Sequence, residues 1–469
     1  MTSSKTREAV VDRRDQYAFH DDIAYLRETK RGLTRDTVEE ISGFKNEPDW
    51  MLQSRLRAYD HFLKRPMPMW TDGLDKIDFD KIVYYRKPSE REEKSWDDVP
   101  EQIKATFEKL GIPEAERKFL AGVGAQYDSE VVYHSVREEL AKIGVVFMGT
   151  DQGLKEYPEL FRKFYGTVVP HEDNKFSALN GAVWSGGSFV YVPKGVEVPL
   201  PLQDYFRING ENTGQFERTL IVVDEGAKVH YIEGCTAPIY ATDSLHVAVV
   251  EVIALAGSKV RYTTIQNWSN DVYNLVTKRA HAHANSTVEW IDANTGSRKT
   301  VKFPSIYLRG ENSSADIISV AVAGRGQHQD TGAKAIHLAK NTTSRIVSKS
   351  VSKDGGRATY RGQLKVSPGA TGVVASVRCD ALMLDDESRS DTYPYIDIQE
   401  DDTTMTHEAT VGKISQDQIF YLMSRGLTEN EAQNLVIQGF LEVFTKELPM
   451  EYAIEFNRLV KLEMEGSLG

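Results

Sequence analysis

Cysteine is nearly absent from this chain: its 469 residues include two, Cys235 and Cys379. They lie 144 positions apart and form no CxxC pair, which excludes a disulfide framework and argues against a self-contained zinc site. Such usage suits a reducing compartment. No apolar run approaches the roughly 20 residues of a membrane-spanning helix. The opening MTSSKTREAVVDRRDQ is charged throughout, unlike a secretory signal, so we expect a soluble cytoplasmic protein with no membrane partner. Positive charge is in deficit too: 57 Lys and Arg against 69 Asp and Glu leave a net charge of −12, which argues against nucleic acid as a partner. The phosphate loop GxxxxGK[ST] is missing, since Gly412-Lys413 is followed by Ile414 and lacks the earlier glycine. Any nucleotide hydrolysis coupled to this protein belongs to a partner.

What the chain does have is a hydrophobic fraction of 40%, enough for a sizeable core, spread over three textures. To about Tyr165 it reads as helical and highly charged. Asn46-Glu-Pro-Asp starts a helix, with Met51, Leu52, Leu56, Tyr59 and Leu63 at helical spacing behind it. The stretch KPSEREEKSWDD, Lys87 to Asp98, reads as a polar loop or linker. Ile103, Phe107 and Leu110 mark a short helix stopped by Gly111. Ser135 to Ile143 reads as another helix, GVVFMG as a strand, and Gln152 to Tyr165 as a further helix.

From about Val168 to Val411 short β-rich runs are punctuated by Gly, Asn and Ser, and they repeat. GAKVHY (from Gly226), GSKVRY (Gly257), NSTVEW (Asn285), NSSADI (Asn312) and the looser NTTSRI (Asn341) start 31, 28, 27 and 29 residues apart. Gly or Asn supplies a turn, alternating apolar residues face inward along a strand, and each unit buries its face by stacking on the next. An antiparallel sandwich would show a shorter strand spacing, so the period favours a β-helical solenoid. From Ser415 the chain turns helical again. Ser415-Gln-Asp-Gln and Thr428-Glu-Asn-Glu are capping boxes, Gly426 ends the first helix, and the second runs through Leu435. Leu441, Phe444 and Leu448 continue the apolar pattern before Pro449 opens the last helix. This block reads as a solenoid plug or as a partner-docking module. The expected division is a mainly helical region at 1–167, a β-helix core at 168–411 and a C-terminal helical domain at 412–469.

The repeat also aligns chemistry. Cys235 lies nine residues after Gly226 and Gln266 nine after Gly257, so thiol and amide should be neighbours on adjacent turns, with Trp268 on the same side of its strand. A lone cysteine is more often a small buried hydrophobe than a reactive group, and here its polar neighbours weigh against that. Cys379 stands between Arg378 and Asp380, whose effects on a thiol oppose each other. His407 and Glu408 follow downstream, and Cys, His and Glu are all competent iron ligands, although their scatter alone favours a solvated His-Glu pair. His281, His283 and His328 have no acidic or thiol partner at metal-binding spacing and read as structural. A cysteine hydrolase needs a His base, and His230, five residues before Cys235, should face the opposite side of its strand.

In order, YFRINGENTGQFERT (Tyr205 to Thr219), YIEGCTAP (Tyr231 to Pro238), QNW (Gln266 to Trp268), VTKRA (Val276 to Ala280), DTGAKAIH (Asp330 to His337), TYRG (Thr359 to Gly362) and HEAT (His407 to Thr410) resemble the SufB/SufD family of the SUF iron–sulfur cluster assembly system. The resemblance covers nearly the whole chain, and the thiol in YIEGC together with HEAT lies on the SufB side of that family. It implies a mainly β fold, a right-handed parallel β-helix flanked by helical regions, and a scaffold rather than an enzyme, with no catalytic residues. It implies that Cys235 accepts persulfide sulfur from a cysteine desulfurase or a sulfur carrier. Cys379 and Glu408, with His407 beside them, match residues that build and ligate a transient iron–sulfur cluster at an interface with SufD or a second SufB. Arg207, Asn209, Gln266, Trp268 and Lys278 match residues lining a sulfur path through the β-helix. The C-terminal helices should dock SufC, an ABC-type ATPase, which fits the missing phosphate loop. Reduced flavin is a further implication, with no motif here to support it. A cysteine-dependent enzyme and a glycan-binding β-helix protein are the alternatives.

Overall fold

The computed structural model describes residues 25–88, 98–101, 103–104, 120–209, 213–236 and 244–464. The polar stretch at 89–97, most of the helix read from Ile103 to Gly111, and residues 237 and 238 lie outside them.

The N-terminal part contains β1 (Arg27–Glu28), α1 (Arg35–Lys45), α2 (Asp49–Lys64) and β2 (Arg86–Lys87), which pairs antiparallel with β1. Next come the hairpin β3 (Gly122–Tyr127) and β4 (Glu130–Val136), α3 (Glu138–Lys142), β5 (Val146–Gly149), α4 (Thr150–Glu156), α5 (Pro158–Phe164), α6 (Lys175–Val183) and β6 (Ser188–Val192). From there strands alternate between two sheets. The ten-stranded sheet takes β7 (Leu202–Arg207), β10 (Lys228–Thr236), β12 (Lys259–Trp268), β14 (Thr287–Gly296), β17 (Ser314–Ala323), β19 (Thr343–Ser352), β21 (Val373–Met383) and β23 (Thr403–Lys413), with β3 and β4 at its other end. The eleven-stranded sheet takes β5, β6, β8 (Gly214–Gln215), β9 (Arg218–Val223), β11 (Ser244–Ala254), β13 (Val272–Ala282), β15 (Lys299–Lys302), β16 (Ser305–Leu308), β18 (His328–His337), β20 (Arg357–Val366) and β22 (Arg389–Ile398). Together they form a parallel β-solenoid of about 7 turns.

The repeat is the engine of this fold. Gly226, Gly257, Asn285, Asn312 and Asn341 all adopt positive φ, from 55 to 69°, and a strand of the ten-stranded sheet begins two residues after each. Only Gly, and Asn among side-chain residues, enter that region cheaply. The turns also stack: the N–H of Gly226 donates to Ala256 O at 2.9 Å, that of Gly257 to Ala284 O at 2.8 Å and that of Asn285 to Glu311 O at 2.9 Å. One period is therefore a pair of strands, one in each sheet.

Between the sheets lies an aliphatic and aromatic core that includes Val229, Tyr231, Val250, Val252, Tyr262, Val288, Trp290 and Ile317. Their outer faces are apolar as well, so each needs a cover. Side chains of α1, α2 and α6 pack on Leu245, Val247, Tyr273 and Leu275 of the eleven-stranded sheet, and those of α4 and α5 on Leu220, Val222 and Val249. The ten-stranded sheet is covered by the C-terminal block, α7 (Gln416–Ser424), α8 (Glu429–Thr445) and α9 (Met450–Met464), where Ile437, Leu441, Phe444 and Phe456 meet Ile265, Ile291, Ile318 and Val347. These helices lie on the flank of the solenoid and do not plug its end. The two ends differ: antiparallel β4 and β5 finish the N-terminal end, while β22 and β23 are left as edge strands with largely exposed residues.

Local departures from the sequence reading have local causes. Gln152 to Tyr165 is two helices, because Pro158 opens α5 and cannot extend α4 past Tyr157. Ser135 and Val136 end β4, which leaves α3 as a short helix. Inside the β-rich region, α6 begins at an Asn174–Ser177 capping box and is buried on every side, so it carries no amphipathic period for a sequence reading to find.

Candidate functional site

Register places the two thiols. In β10 the residues facing the interior are Val229, Tyr231, Glu233 and Cys235, by alternation from the core positions. Cys235 pairs with Gln266 in β12 and Phe206 in β7, as the repeat spacing requires for the first of these. In β21 the interior positions are Ala375, Val377 and Cys379, so both thiols face inward from one sheet. Cys379 is in register with Ser348, Ser348 with Ser319, Ser319 with Asp292, Asp292 with Thr264 and Thr264 with Glu233. The five members that lead up to Cys379 are all polar. Five strand spacings of about 4.8 Å put its ends about 24 Å apart.

Around Cys235 the interior is ionic and closed. The Cys235 thiol faces Glu233 Oε1 at 3.5 Å, and Gln266 Nε2 donates to the sulfur at 3.8 Å. Lys278 Nζ donates to Glu233 Oε1 at 3.1 Å, Thr264 Oγ1 donates to the same oxygen at 3.2 Å, and the Tyr262 hydroxyl donates to Oε2. Burial alone would raise the Glu233 carboxyl, but Lys278 and Tyr262 outweigh it and hold it at about 2. Burial, then the Glu233 and Glu217 carboxylates, push the Cys235 thiol far above its ordinary value. In the resting protein this sulfur is a protonated thiol. Next to it, Asn274 Nδ2 donates to Gln266 Oε1 at 2.7 Å, and His246 bridges Asn274 Oδ1 and Glu217 Oε1 at 2.7 Å each. Phe206, Ile208, Trp268 and Val272 wall the thiol on its apolar side. One turn further on, Lys302 Nζ meets Asp292 Oδ1 at 2.5 Å and Asn294 Oδ1 at 3.0 Å, and its burial pulls it down to about 8.

The sequence-derived residues do not all converge. Gln266, Trp268 and Lys278 surround Cys235. Arg207 is buried on the other side of β7, pairing with Thr236 while its neighbour Phe206 pairs with Cys235, and Asn209 is buried two residues past the strand; the Asp128 N–H donates to Arg207 O at 2.8 Å, and the Asn209 N–H donates to Asp128 Oδ1 at 2.7 Å. At the far end, His407 is in register with Val377 and so shares the inner face with Cys379. Its Nε2 is buried with no hydrogen-bond partner among the described residues. Glu408 is in register with Arg378, is exposed, and leaves the edge strand on the outer face. Within one chain the inner-face pair is therefore Cys379 with His407, while Glu408 stands on the rim. The thiol of Cys379 lies 3.8 Å from the Glu408 carbonyl, and burial with the Asp380 carboxylate pushes it up to about 11.

Sequence reading missed Glu233, Glu217, His246, Asn274, Asp292 and Lys302. Glu233 was within reach, since it is two residues before Cys235 and alternation puts both on one face. Glu217 and His246 come from the opposite sheet, and no spacing in the sequence states which residue of one sheet faces which of the other. His230, His281 and His328 do not join the site: His230 bonds Thr263 at 2.9 Å on the outer face, His281 lies beside Tyr307 with the two rings tilted, and His328 sits among Lys299, Asp72 and Thr359.

The class of protein to which this β-solenoid belongs is given by its relatives. The model of the "SUF system FeS cluster assembly, SufBD core domain" matches residues 206–440, and that of the "SufBD protein N-terminal region" matches 123–203. The chain belongs to the SufBD family of iron–sulfur cluster assembly proteins. It is 59% identical over 454 residues to the iron–sulfur cluster assembly protein SufB of Bacillus subtilis (strain 168), covering 97% of this chain and 98% of that protein. Iron–sulfur cluster assembly SufBD family proteins of Staphylococcus saprophyticus and Staphylococcus aureus are each 58% identical over the same shares. Within the family the chain lies on the SufB side.

Proposed function

We propose that this chain is a cytoplasmic assembly scaffold that takes up sulfane sulfur at Cys235 and delivers it along the inner polar row to a nascent cluster at Cys379. The observation that carries this reading is the unbroken run Glu233, Thr264, Asp292, Ser319, Ser348 and Cys379 on one inner face. A structural solenoid has no reason to align five polar side chains in its interior, where each costs desolvation, on a line that ends at a thiol.

Loading is thiol–disulfide chemistry. The Cys235 thiolate attacks the outer sulfur of a donor persulfide, the donor S–S bond breaks, the donor leaves as a thiol, and a persulfide stands on Cys235. Because the resting thiol is protonated, its proton must be given up as the S–S bond forms, and it ends on the departing donor thiolate; Glu233, held at about 2, is too weak a base to keep it. Release of that sulfur as sulfide consumes two electrons, which a reduced flavin could supply. At the open end, Cys379 and His407 offer a thiolate and an imidazole to the cluster, which is cargo here, and Glu408 stands at the edge for a partner to approach.

Two surfaces suit the partners. The unpaired edges of β22 and β23, with Tyr393, Tyr395, Ile396 and Ile398 exposed, fit the matching edges of a second solenoid, SufD or another copy of this chain. On the flank, α7 and α8 present exposed Phe420, Tyr421, Met423 and Leu435, which suits docking of the ATPase SufC whose turnover drives assembly. Reconstitution with ferrous iron, a sulfur donor, reductant and the ATPase tests the reading: Cys379→Ala should load sulfur on Cys235 and build no cluster. A wild-type assembly rate in that variant would refute it.

A further inference from the structure

One set of metal-competent side chains has no ligand role in this scheme. Glu217, just ahead of β9, reaches Cys235 from the opposite sheet. One ligand atom each from Glu217, Glu233 and Cys235 lie within 4.8 Å of one another, and all three residues are buried. Glu217 Oε1 is occupied by His246 Nε2 at 2.7 Å, whereas Oε2 is buried with no hydrogen-bond partner among the described residues. A bare carboxylate oxygen in a dry interior is costly unless a positive charge answers it. Lys278 does not reach that oxygen, since its contact is to Glu233, and His246 answers only Oε1.

We propose that Cys235, Glu217 and Glu233 bind one divalent transition-metal ion of the ferrous type, so that the sulfur acceptor is also a metal site.

A thiolate with two carboxylates is a donor set that first-row divalent ions accept. Metal–sulfur and metal–oxygen bonds of about 2.3 and 2.1 Å require the ligand atoms to draw in by roughly 1 Å, which side-chain rotation provides. His246 backs Glu217 from behind, and Gln266 fixes His246 through Asn274, the kind of outer support that orients metal ligands. On binding, the Cys235 S–H bond breaks, the proton leaves to solvent, a sulfur–metal bond forms, and no electrons are exchanged. Iron held there would meet sulfane sulfur where it arrives. The proposal deepens the acceptor reading and shares Cys235 with it.

Cobalt(II) chloride added to the full-length chain without oxygen provides the probe, because a cobalt–thiolate bond gives a charge-transfer band. In Cys379→Ser protein one equivalent of cobalt should produce the band. Cys235→Ser, a near-isosteric change, should abolish it, and Glu217→Gln should weaken binding at least about tenfold. The inference is overturned by absence of the band, by its survival in Cys235→Ser, or by unchanged affinity in a Glu217→Gln protein whose circular dichroism is native. Should Glu217→Gln not fold, the Cys235→Ser comparison decides. Persulfide labelling of the same Cys379→Ser protein separates the two readings: sulfur loading without cobalt binding removes the metal site and keeps the acceptor, and cobalt binding without sulfur loading does the reverse.

Discussion

Cys235 and Cys379 project from the same inner face of one sheet, two residues out of register and five strands apart. Alternation and register leave no freedom in that relationship: a one-residue slip at any of the five pairings would turn one thiol out of the interior. What lies between them is therefore testable by substitution.

Ser319 and Ser348 are the small members of the row, 1% and 6% exposed, so bulk can be added there without touching either thiol. Ser319→Leu should leave persulfide loading of Cys235 intact and lower the rate of cluster formation at least about tenfold, while Ser319→Ala keeps the space and has a smaller effect. The leucine also costs about 1–3 kcal/mol by overpacking, so loading is the control for folding. Single-turnover sulfur labelling followed by the cluster absorption rise measures both.

Lys278 answers a buried carboxylate, and its removal strands that charge. Lys278→Met should destabilise the chain by about 3–5 kcal/mol near neutral pH, read from denaturant unfolding. The sign of the pH dependence follows from Glu233, which is held at about 2 against an ordinary 4.5. Its contribution is full above the unfolded value and fades as pH falls toward about 2. Wild type should therefore lose stability across that acid range, and Lys278→Met should lose less.

Both thiols should resist alkylation at neutral pH in the isolated folded chain. Cys379, raised to about 11, should gain reactivity as the pH climbs toward that value, whereas Cys235, more deeply buried and raised further, should label more slowly than Cys379 at every pH. Iodoacetamide labelling followed by peptide mass spectrometry distinguishes them, and rapid labelling of Cys235 at pH 7 would contradict the closed interior described above.

The turn stack makes a separate prediction about stability. Asn312 has φ of 60° and hydrogen-bonds Asn285 Oδ1 through its side chain at 3.2 Å. Asn312→Val should cost about 1–3 kcal/mol because a β-branched residue is strained in that region, whereas Asn312→Gly should be nearly neutral. Thermal melting of the two variants gives the comparison.

Much of this was legible in the sequence because one repeat carried it. Gly226, Gly257, Asn285, Asn312 and Asn341 mark the turns, and with alternation their spacing alone pairs Cys235 with Gln266. The repeat carries no information across the interior. Glu217 and His246 belong to the other sheet, and the offset between sheets depends on how the non-repeating connections fold. Nor could it say that Glu408 faces outward, since that rests on the pairing of β21 with β23, beyond the last clear repeat. The hairpin β3–β4 and the fully buried α6 escaped for a simpler reason: neither shows the period that marks a strand or helix with one wet face.

The most direct test follows one sulfur atom. Cys235 is loaded with isotopically labelled persulfide, excess donor is removed, and ferrous iron, a two-electron reductant and the ATPase with ATP are added in a single turnover. The account predicts that label leaves Cys235 and appears as acid-labile sulfide in the cluster, and that Cys379→Ala keeps the label on Cys235. A cluster formed at the wild-type rate while the label stays on Cys235 would contradict it.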